Sequence, residues 1–393
     1  MKKTLALLPI MFGFFVMGFS DIIGTVMNQV KAECGLSPAV AGFLPAMIFI
    51  WFFLISIPTG IACNRYGRKN MVLVALAVTV AAMLLPLAAN AQRWWLYAVS
   101  FAFLGIGNTI IQAALPALMS NVVPQDQLTS RISFGQFVKA VCAALTPLFV
   151  YVTADALGNW KLLFPLYGGI TLLAAIWLAF TPIKREESVV SDTGVGASFV
   201  AALRLLGHPY ILMMVGGIFF SVAADVGFGL AIPDYLRDVF HVEVNKAGMG
   251  PTAYFVAKTL GAFLGAFIFA KVSPAKCFPW SVALGLAGTA GIFLCSGVTA
   301  FLVCVFIAAL GLANTFGMCM GLAIHRLPEK TNEVSALVVM AISGGGVVSV
   351  ALGAVQQSRF GANGITCVLL ACFLYLFCLG LFAAGGKSKS ENA

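Results

Sequence analysis

The stretch that decides the fold reads Gly60-Ile61-Ala62-Cys63-Asn64-Arg65-Tyr66-Gly67-Arg68-Lys69. It carries three basic side chains and joins two long apolar segments, residues 38–63 and 71–90. Each segment is long enough to cross a bilayer, which takes about 20 predominantly apolar residues. Glycine allows the backbone to turn tightly between them. The stretch, called the 60–69 loop below, therefore indicates a short connection between two membrane-spanning helices.

Similar apolar segments fill the rest of the chain. Of its 393 residues, 61% are apolar and only 9% are charged, whereas a soluble domain carries about 25% charged residues. The apolar runs are continuous rather than alternating, so they predict helices and not β-barrel strands. The twelve predicted spans are 4–30, 38–63, 71–90, 94–120, 131–155, 161–181, 209–236, 246–272, 277–296, 298–323, 335–357 and 364–385. The chain is therefore predicted to be an all-α membrane protein.

The basic residues predict the orientation of these spans. If both termini lie inside, fifteen Lys and Arg residues fall in inner segments and six in outer ones; Lys139 and Lys258 lie within spans, which completes the 23. Cytoplasmic loops carry the excess of basic residues, so we expect both termini in the cytoplasm. The basic residues are scattered rather than clustered, so we expect lipid, and not nucleic acid, around the protein.

The chain also repeats itself about its middle. Leu104–Thr109 (LGIGNT) recurs as Leu310–Thr315 (LGLANT), and Ala41–Pro45 recurs as Ala247–Pro251, both 206 residues later. The longest hydrophilic stretch lies between the repeats and includes a predicted short surface helix. Repeats of this kind place a binding site between the halves, near the bilayer midplane. We predict an N-terminal six-helix bundle at 1–181, a central cytoplasmic loop at 182–207, and a C-terminal six-helix bundle with a short cytoplasmic tail at 208–393.

Four ionisable side chains fall well inside predicted spans: Asp21, Lys139, Asp225 and Lys258. Such groups are costly in a bilayer, by about 3 kcal/mol on insertion scales, and mark candidate functional sites. Asp21 and Asp225 are proton-coupling candidates, because a carboxylate removed from water tends to take up a proton. Lys139 and Lys258 are candidate partners of an anionic substrate group. The alternative is that each Asp pairs with the Lys of its own half in a purely structural role.

Amide side chains add hydrogen-bonding groups to the same spans. Asn108 and Gln112 are four residues apart and Gln136 and Lys139 three apart, so each pair shares a helix face; Asn314 repeats Asn108 in the other half. Amides both donate and accept, which suits sugar hydroxyls, but they also join neighbouring helices. The candidate substrate-binding set is Asp21, Asn108, Gln112, Gln136, Lys139, Asp225, Lys258 and Asn314.

Enzymatic motifs are missing from the sequence. It has no Gly-x-x-x-x-Gly-Lys-Ser/Thr nucleotide loop and no Cys-x-x-Cys pair among its ten cysteines. Its three histidines fall near the ends of predicted spans. We therefore expect no cofactor, no resident metal and no enzymatic activity.

The 60–69 loop resembles the Gly-x-x-x-Asp-Arg-x-Gly-Arg-Arg/Lys loop of the major facilitator superfamily, and the span number, central loop and repeat fit the same family. The resemblance implies twelve transmembrane helices in two pseudo-symmetric six-helix bundles that work by alternating access. It also implies a gating role for Gly60, Asn64, Arg65, Gly67 and Arg68. Asn64 stands where the family has an aspartate.

A narrower resemblance points to the fucose/glucose/galactose–proton symporters. Gly18-Phe19-Ser20-Asp21 is similar to their first helix, whose Asp faces the cavity, and Gln136 matches a glutamine of their fifth helix, whereas Lys139 replaces a cavity asparagine. The resemblance implies proton-coupled import of a sugar across a bacterial inner (plasma) membrane, for which a monomer suffices. The alternatives are proton-coupled uptake of an acidic sugar or other organic anion and, less favoured, export of drugs or metabolites.

Overall fold

A computed structural model describes residues 2–19, 26, 30, 33–35, 38–153, 157–184, 195–242, 250–345, 355 and 361–388. Within these ranges the regular structure is helical, and they contain no strand. The helices, numbered along the chain, are α1 (Lys2–Met17), α2 (Pro38–Tyr66), α3 (Arg68–Leu84), α4 (Trp95–Met119), α5 (Leu128–Tyr151), α6 (Leu163–Phe180), α7 (Val195–Arg204), α8 (Pro209–Asp238), α9 (Pro251–Lys271), α10 (Pro274–Gly291), α11 (Val298–Leu312), α12 (Thr315–Arg326), α13 (Thr331–Met340) and α14 (Gly361–Ser388).

Most of these helices are long and apolar enough to cross a membrane. Nine such stretches occur among the described residues: Met47–Tyr66, Arg68–Ala88, Trp95–Met119, Trp160–Phe180, Pro209–Gly229, Pro251–Lys271, Pro274–Leu294, Val298–Arg326 and Asn363–Gly385. The helices α1, α5 and α13 lie at the predicted positions of the other three spans. A helix satisfies its own backbone hydrogen bonds, which lipid cannot do. Large side chains such as Phe180 and Trp280 are exposed on these helices, as on a surface that faces lipid.

The described chain forms two compact units, and the first comprises Met1–Leu128, Val138–Leu206 and Leu327–Ser343. Its central helix is α4, which packs against α1, α2, α3 and α13. A glycine permits the approach of α2, because a Cβ at Gly105 would lie 2.8 Å from the Cα of Ile48. This packing buries the polar side chains of α4, which include two of the predicted site residues.

The second unit comprises Thr129–Phe137, Gly207–Arg326 and Gly344–Ala393. In it α10 packs against α11 and α14, and α8 packs against α9, α12 and α14. Small residues again bring the helices together: a Cβ at Gly261 on α9 would lie 2.6 Å from the Cβ of Ala313. Close backbone approach of this kind holds helices together in lipid, where apolar side chains gain nothing by leaving their surroundings.

A short helix, α7, lies within the predicted central loop. It packs on α2 and α13 and leaves Phe199, Val200 and Leu203 exposed. Exposed apolar side chains on a short helix with a basic end suit the membrane interface. The bundle boundaries at 1–181, 182–207 and 208–393 stay a prediction.

Candidate transport site and gating loop

A charged cluster lies within the membrane-spanning part of the second unit. Asp225 on α8 forms an ion pair with Lys258 on α9, and the hydroxyl of Tyr254 donates to the other carboxylate oxygen. Tyr254 and Lys258 are four residues apart, so both project from one face of α9. The pairing that the sequence suggested for Asp225 and Lys258 is confirmed. Tyr254 was missed, although its spacing from Lys258 was an available signal.

The two sides of this cluster differ in burial. The side chains of Lys258 and Asp225 are 30% and 32% exposed, whereas Tyr254 is fully buried with its ring centroid 5.1 Å from that of Phe228. The tyrosine thus fixes the carboxylate from the protein interior, while both members of the ion pair are partly exposed at the surface of their helices.

Asn314 lies in the same unit, in the turn between α11 and α12. Its Nδ2 donates to the carbonyl oxygen of Gly261 on α9 at 2.7 Å. Its Oδ1 is buried and has no hydrogen-bond partner among the described residues. The amide nitrogen therefore joins this turn to α9, while the buried oxygen has no donor among the described residues.

Asn108 lies on α4 in the first unit, next to a small cavity. The cavity has a volume of about 10 Å³ and is lined by Val16, Thr79 and Asn108 among others, which is about the space that one water needs. The Oδ1 of Asn108 has no partner among the described residues. Gln112, one turn further along α4, is also buried. The described cavity suits a single water bound to Asn108 rather than a sugar.

The remaining candidates of the N-terminal half are Gln136 and Lys139 on α5 and Asp21 in the first predicted span. Gln136 and Lys139 are half-buried, and the Nε2 of Gln136 has no partner in the described structure. Gly18 lies against α5, because a Cβ at this position would come within 2.8 Å of the carbonyl oxygen of Lys139 and the Cβ of Cys142. Asp21 lies outside the described residues, three positions beyond this close approach.

The 60–69 loop contacts the start of α13 within the first unit. The amide of Asn64 donates to the Glu333 carboxylate at 2.7 Å and accepts from the amide of Asn332. The guanidinium of Arg68 donates to the Asn332 side chain at 2.7 Å. An amide thus stands where the resemblance implies a carboxylate, and the acid is supplied by α13. Sequence reasoning did not identify Glu333 or Asn332, because nothing local to α13 marks them as partners of a loop 268 residues away.

Close packing and further hydrogen bonds support this network. A Cβ at Gly60 would lie 2.8 Å from the carbonyl oxygen of Asn332, so only a residue without a side chain lets α2 approach α13 there. Gly67 has φ of 88°, a left-handed conformation that favours glycine. Arg68 also donates to the carbonyl oxygen of Ala117 and the hydroxyl of Ser120, both at 3.0 Å. Arg65 lies over the ring of Tyr66, 5.4 Å from its centroid.

The family model of the Major Facilitator Superfamily matches residues 10–350 and 214–391. The chain belongs to this superfamily. It is therefore an integral membrane protein with the twelve-helix architecture of the major facilitators, and a transporter rather than an enzyme. The fold class expected from the sequence is confirmed.

Three known proteins are similar to this major facilitator over nearly its whole length. The glucose/galactose transporter of Brucella abortus biovar 1 (strain 9-941) is 24% identical over 402 residues, which cover 95% of this chain and 92% of the relative. The probable nitrate transporter NarT of Staphylococcus epidermidis (strain ATCC 35984) is 23% identical over 400 residues, 99% of each chain. The E. coli fucose:proton symporter FucP is 20% identical, with a TM-score of 0.81 over 97% of this chain and 98% of FucP. The structural likeness establishes the fold of this chain.

Proposed function

We propose that this carrier imports a sugar together with protons by alternating access, across the bacterial inner membrane and with both termini in the cytoplasm. The observation that carries the proposal is the partly exposed Asp225–Lys258 pair inside membrane-spanning helices. Charged groups at such depth are retained where they serve transport or pair with one another. Asp225 and Lys258 pair with one another and, in this proposal, also serve transport.

The chemistry of the pair gives a coupling mechanism. Opening the pair with both groups charged would leave two uncompensated charges in the membrane, which is strongly unfavourable. Protonation of Asp225 removes the negative charge and releases the ammonium of Lys258, whose three N–H groups then bind substrate oxygens. Loss of the proton restores the pair and displaces the substrate. Substrate and proton therefore bind together and leave together.

The other predicted residues supply the remaining contacts in this proposal. Asp21 is the second proton site, and Gln112 and Lys139 bind substrate from the N-terminal half. Asn108 holds the single water that its cavity suits, and two buried amide atoms, of Gln136 and Asn314, have no partner among the described residues. An unpaired buried polar atom costs about 1–3 kcal/mol, so a ligand that both donates and accepts is favoured there. Sugar hydroxyls do so. Relatives named for glucose/galactose transport and fucose:proton symport support the same substrate class.

Uptake by proteoliposomes tests the proposal. Radiolabelled glucose, galactose, fucose and a sugar acid are offered with and without an inward proton gradient. We expect hexose uptake that rises with the gradient and is abolished by a protonophore. Lys258→Gln should lower gradient-driven uptake at least about tenfold, equivalent to about 1.4 kcal/mol, whereas Lys271→Gln, at the exposed end of the same helix, should leave it unchanged. Hexose uptake that ignores the gradient contradicts the proposal.

The second candidate is proton-coupled uptake of an acidic sugar or other organic anion. It is favoured by the two lysines within the spans and by the similarity to a probable nitrate transporter. A lysine is a point-charge partner for a carboxylate. Lys139→Gln should abolish uptake of an anion but only weaken uptake of a neutral sugar. Transport of the sugar acid alone, lost in Lys139→Gln, would replace the first proposal with the second.

A further inference from the structure

A second cavity lies on the predicted cytoplasmic side of the first unit, where α3 begins. It has a volume of about 140 Å³, and its polar lining comprises Tyr66, Arg68, Lys69, Asn70 and Lys184; Gly67, Leu118 and Ile183 complete the lining. About 10–15 Å³ of such space holds one water, so the cavity has room for several waters or for a group of comparable size. We call it the basic cavity. It is separate from the ion pair and is not used by the proposed transport mechanism.

The charge of the basic cavity is positive. Three of its lining residues are basic, and none of those that the structure describes is acidic. The ammonium of Lys69 donates to the backbone carbonyl oxygens of Ala179 and Thr181, both at 2.9 Å. These acceptors are neutral, so they orient the ammonium without cancelling its charge. Lys184 is exposed at the rim of the cavity.

The backbone adds to this positive field. The 17-residue helix α3 begins at Arg68, and its cap, Gly67, offers no side-chain acceptor. The first amide N–H groups of a helix have no acceptor within the helix, and the helix dipole favours an anion at this end. Backbone donors and lysines together suit the oxygens of a phosphate.

The surroundings indicate the depth of the cavity in the membrane. Tyr66 is 52% exposed and is the last residue of α2. The distribution of basic residues predicts that this end of α2 lies on the cytoplasmic side. Tyrosines are enriched at the level of lipid headgroups. Basic pockets between transmembrane helices on this side of a membrane bind the headgroups of acidic lipids.

We propose that the basic cavity binds a phosphate-bearing anion, and that the headgroup of an acidic phospholipid of the inner leaflet supplies it. The proposal rests on the predicted cytoplasmic placement of the 60–69 loop and is independent of the transported substrate. Because Arg68 also donates to Asn332 at 2.7 Å, the bound headgroup would lie next to the contact between the 60–69 loop and α13.

Thermal unfolding of the purified full chain in detergent tests the proposal. The probes are phosphatidylglycerol, phosphatidylcholine and inorganic phosphate, and the readout is the shift that each causes in the unfolding midpoint of a given variant. We expect a concentration-dependent rise with phosphatidylglycerol and none with phosphatidylcholine, since binding stabilises the folded state. No rise with inorganic phosphate assigns the anion to lipid. An equal rise with inorganic phosphate overturns the lipid source.

Variants locate the site. One basic residue near the headgroups contributes about fivefold in affinity. Lys184→Gln should therefore raise the half-saturating phosphatidylglycerol concentration about fivefold, and Lys69→Gln/Lys184→Gln should raise it about twenty-five-fold. Lys276→Gln, an exposed lysine at the start of α10 and outside the cavity, is the control and should match wild type. Lys69 also donates to the backbone at the end of α6. If the double variant does not fold for this reason, the single variant Lys184→Gln decides the test. A phosphatidylglycerol response equal in Lys184→Gln and wild type, or no response in wild type, overturns the proposal.

Discussion

Asp225 and Lys258 form an ion pair between two of the described membrane-spanning helices. Neither charge could remain alone in lipid without a large penalty. Tyr254 adds a hydrogen bond from a fully buried hydroxyl, and hydrogen bonds to charged groups are the stronger ones. The carboxylate is therefore held in one position, so that a change in its protonation has a defined consequence for Lys258.

A double-mutant cycle should show that the two charges depend on one another. Asp225→Asn and Lys258→Gln are each expected to lower the free energy of unfolding by about 2 kcal/mol, less than for a fully buried pair because both groups are partly exposed. The variant that carries both changes should lose less than the sum of the two, since no charge is left unpaired. Thermal or denaturant unfolding in detergent measures this. Additive losses would mean that the contact contributes no coupling.

The ionisable candidates could be predicted from the sequence because a charge inside an apolar run is conspicuous. Asp225 and Lys258 were found in that way, and their pairing followed from the adjacency of their spans. Tyr254 was not found, since a tyrosine in an apolar helix has several ordinary explanations. Glu333 was not found because its partner Asn64 is 269 residues away, and only the packing of α2 against α13 brings them together.

At the scale of helices, the contact between the 60–69 loop and α13 depends on a neutral residue at position 64. Asn64→Asp would place a second carboxylate beside Glu333, in a contact now 2.7 Å long. Repulsion on the order of 2 kcal/mol is expected, measured as a lower unfolding midpoint and slower uptake. Asn64→Asp/Glu333→Gln should restore both, because it exchanges acid and amide across the contact.

Asn70→Asp is the matched control for this exchange. Asn70 is exposed and lies in the first turn of α3, where a negative charge is favourable. The favourable charge at the start of α3 offsets the loss of the exposed hydrogen bond that Asn70 donates to the carbonyl oxygen of Tyr66 at 3.0 Å, so the unfolding midpoint should change little. If Asn64→Asp changes the unfolding midpoint no more than Asn70→Asp does, the contact with Glu333 does not stabilise the folded protein.

The close packing of Gly18, in the first predicted span, against α5 gives a second prediction about helix packing. Gly18→Ala would place a Cβ 2.8 Å from the carbonyl oxygen of Lys139, and such overpacking costs about 1–3 kcal/mol. Gly169→Ala on α6 meets nothing within 4 Å and should stabilise by up to about 1 kcal/mol, as alanine replaces glycine in a helix. Unfolding midpoints compare the two. Equal effects would mean that Gly18 makes no close contact.

The helices themselves followed from long apolar runs, which leave few alternatives in a membrane. Their ends were less certain: α2 continues to Tyr66, three residues beyond the predicted apolar segment. The predicted span 298–323 corresponds to one continuous apolar stretch, Val298–Arg326. Within it two residues, Ala313 and Asn314, separate α11 from α12, and the amide of Asn314 donates to α9 there.

For the whole molecule, the charge rule predicts which ends of α10 lie inside and outside. Cys277 near its start should be cytoplasmic, and Cys295 beyond its end should face outwards. In single-cysteine variants, a membrane-impermeant maleimide added to right-side-out vesicles should label Cys295 only. Burial raises the pKa of the Cys295 thiol from its ordinary value, so labelling of the single-cysteine variant should be faster at pH 9 than at pH 7, as thiolate increases. Labelling of Cys277 alone would mean that the orientation is opposite to the predicted one.

In the proposed mechanism, joint movement of a sugar and a proton through this transporter requires the protonation of Asp225. Its most direct test is the luminal pH of proteoliposomes that enclose a pH-sensitive dye, recorded when a transported hexose is added outside. We predict acidification of the lumen with wild type and none with Asp225→Asn, while Asp126→Asn, a change in the exposed turn before α5, acidifies as wild type does. Hexose entry without acidification, or unchanged acidification in Asp225→Asn, would contradict the account.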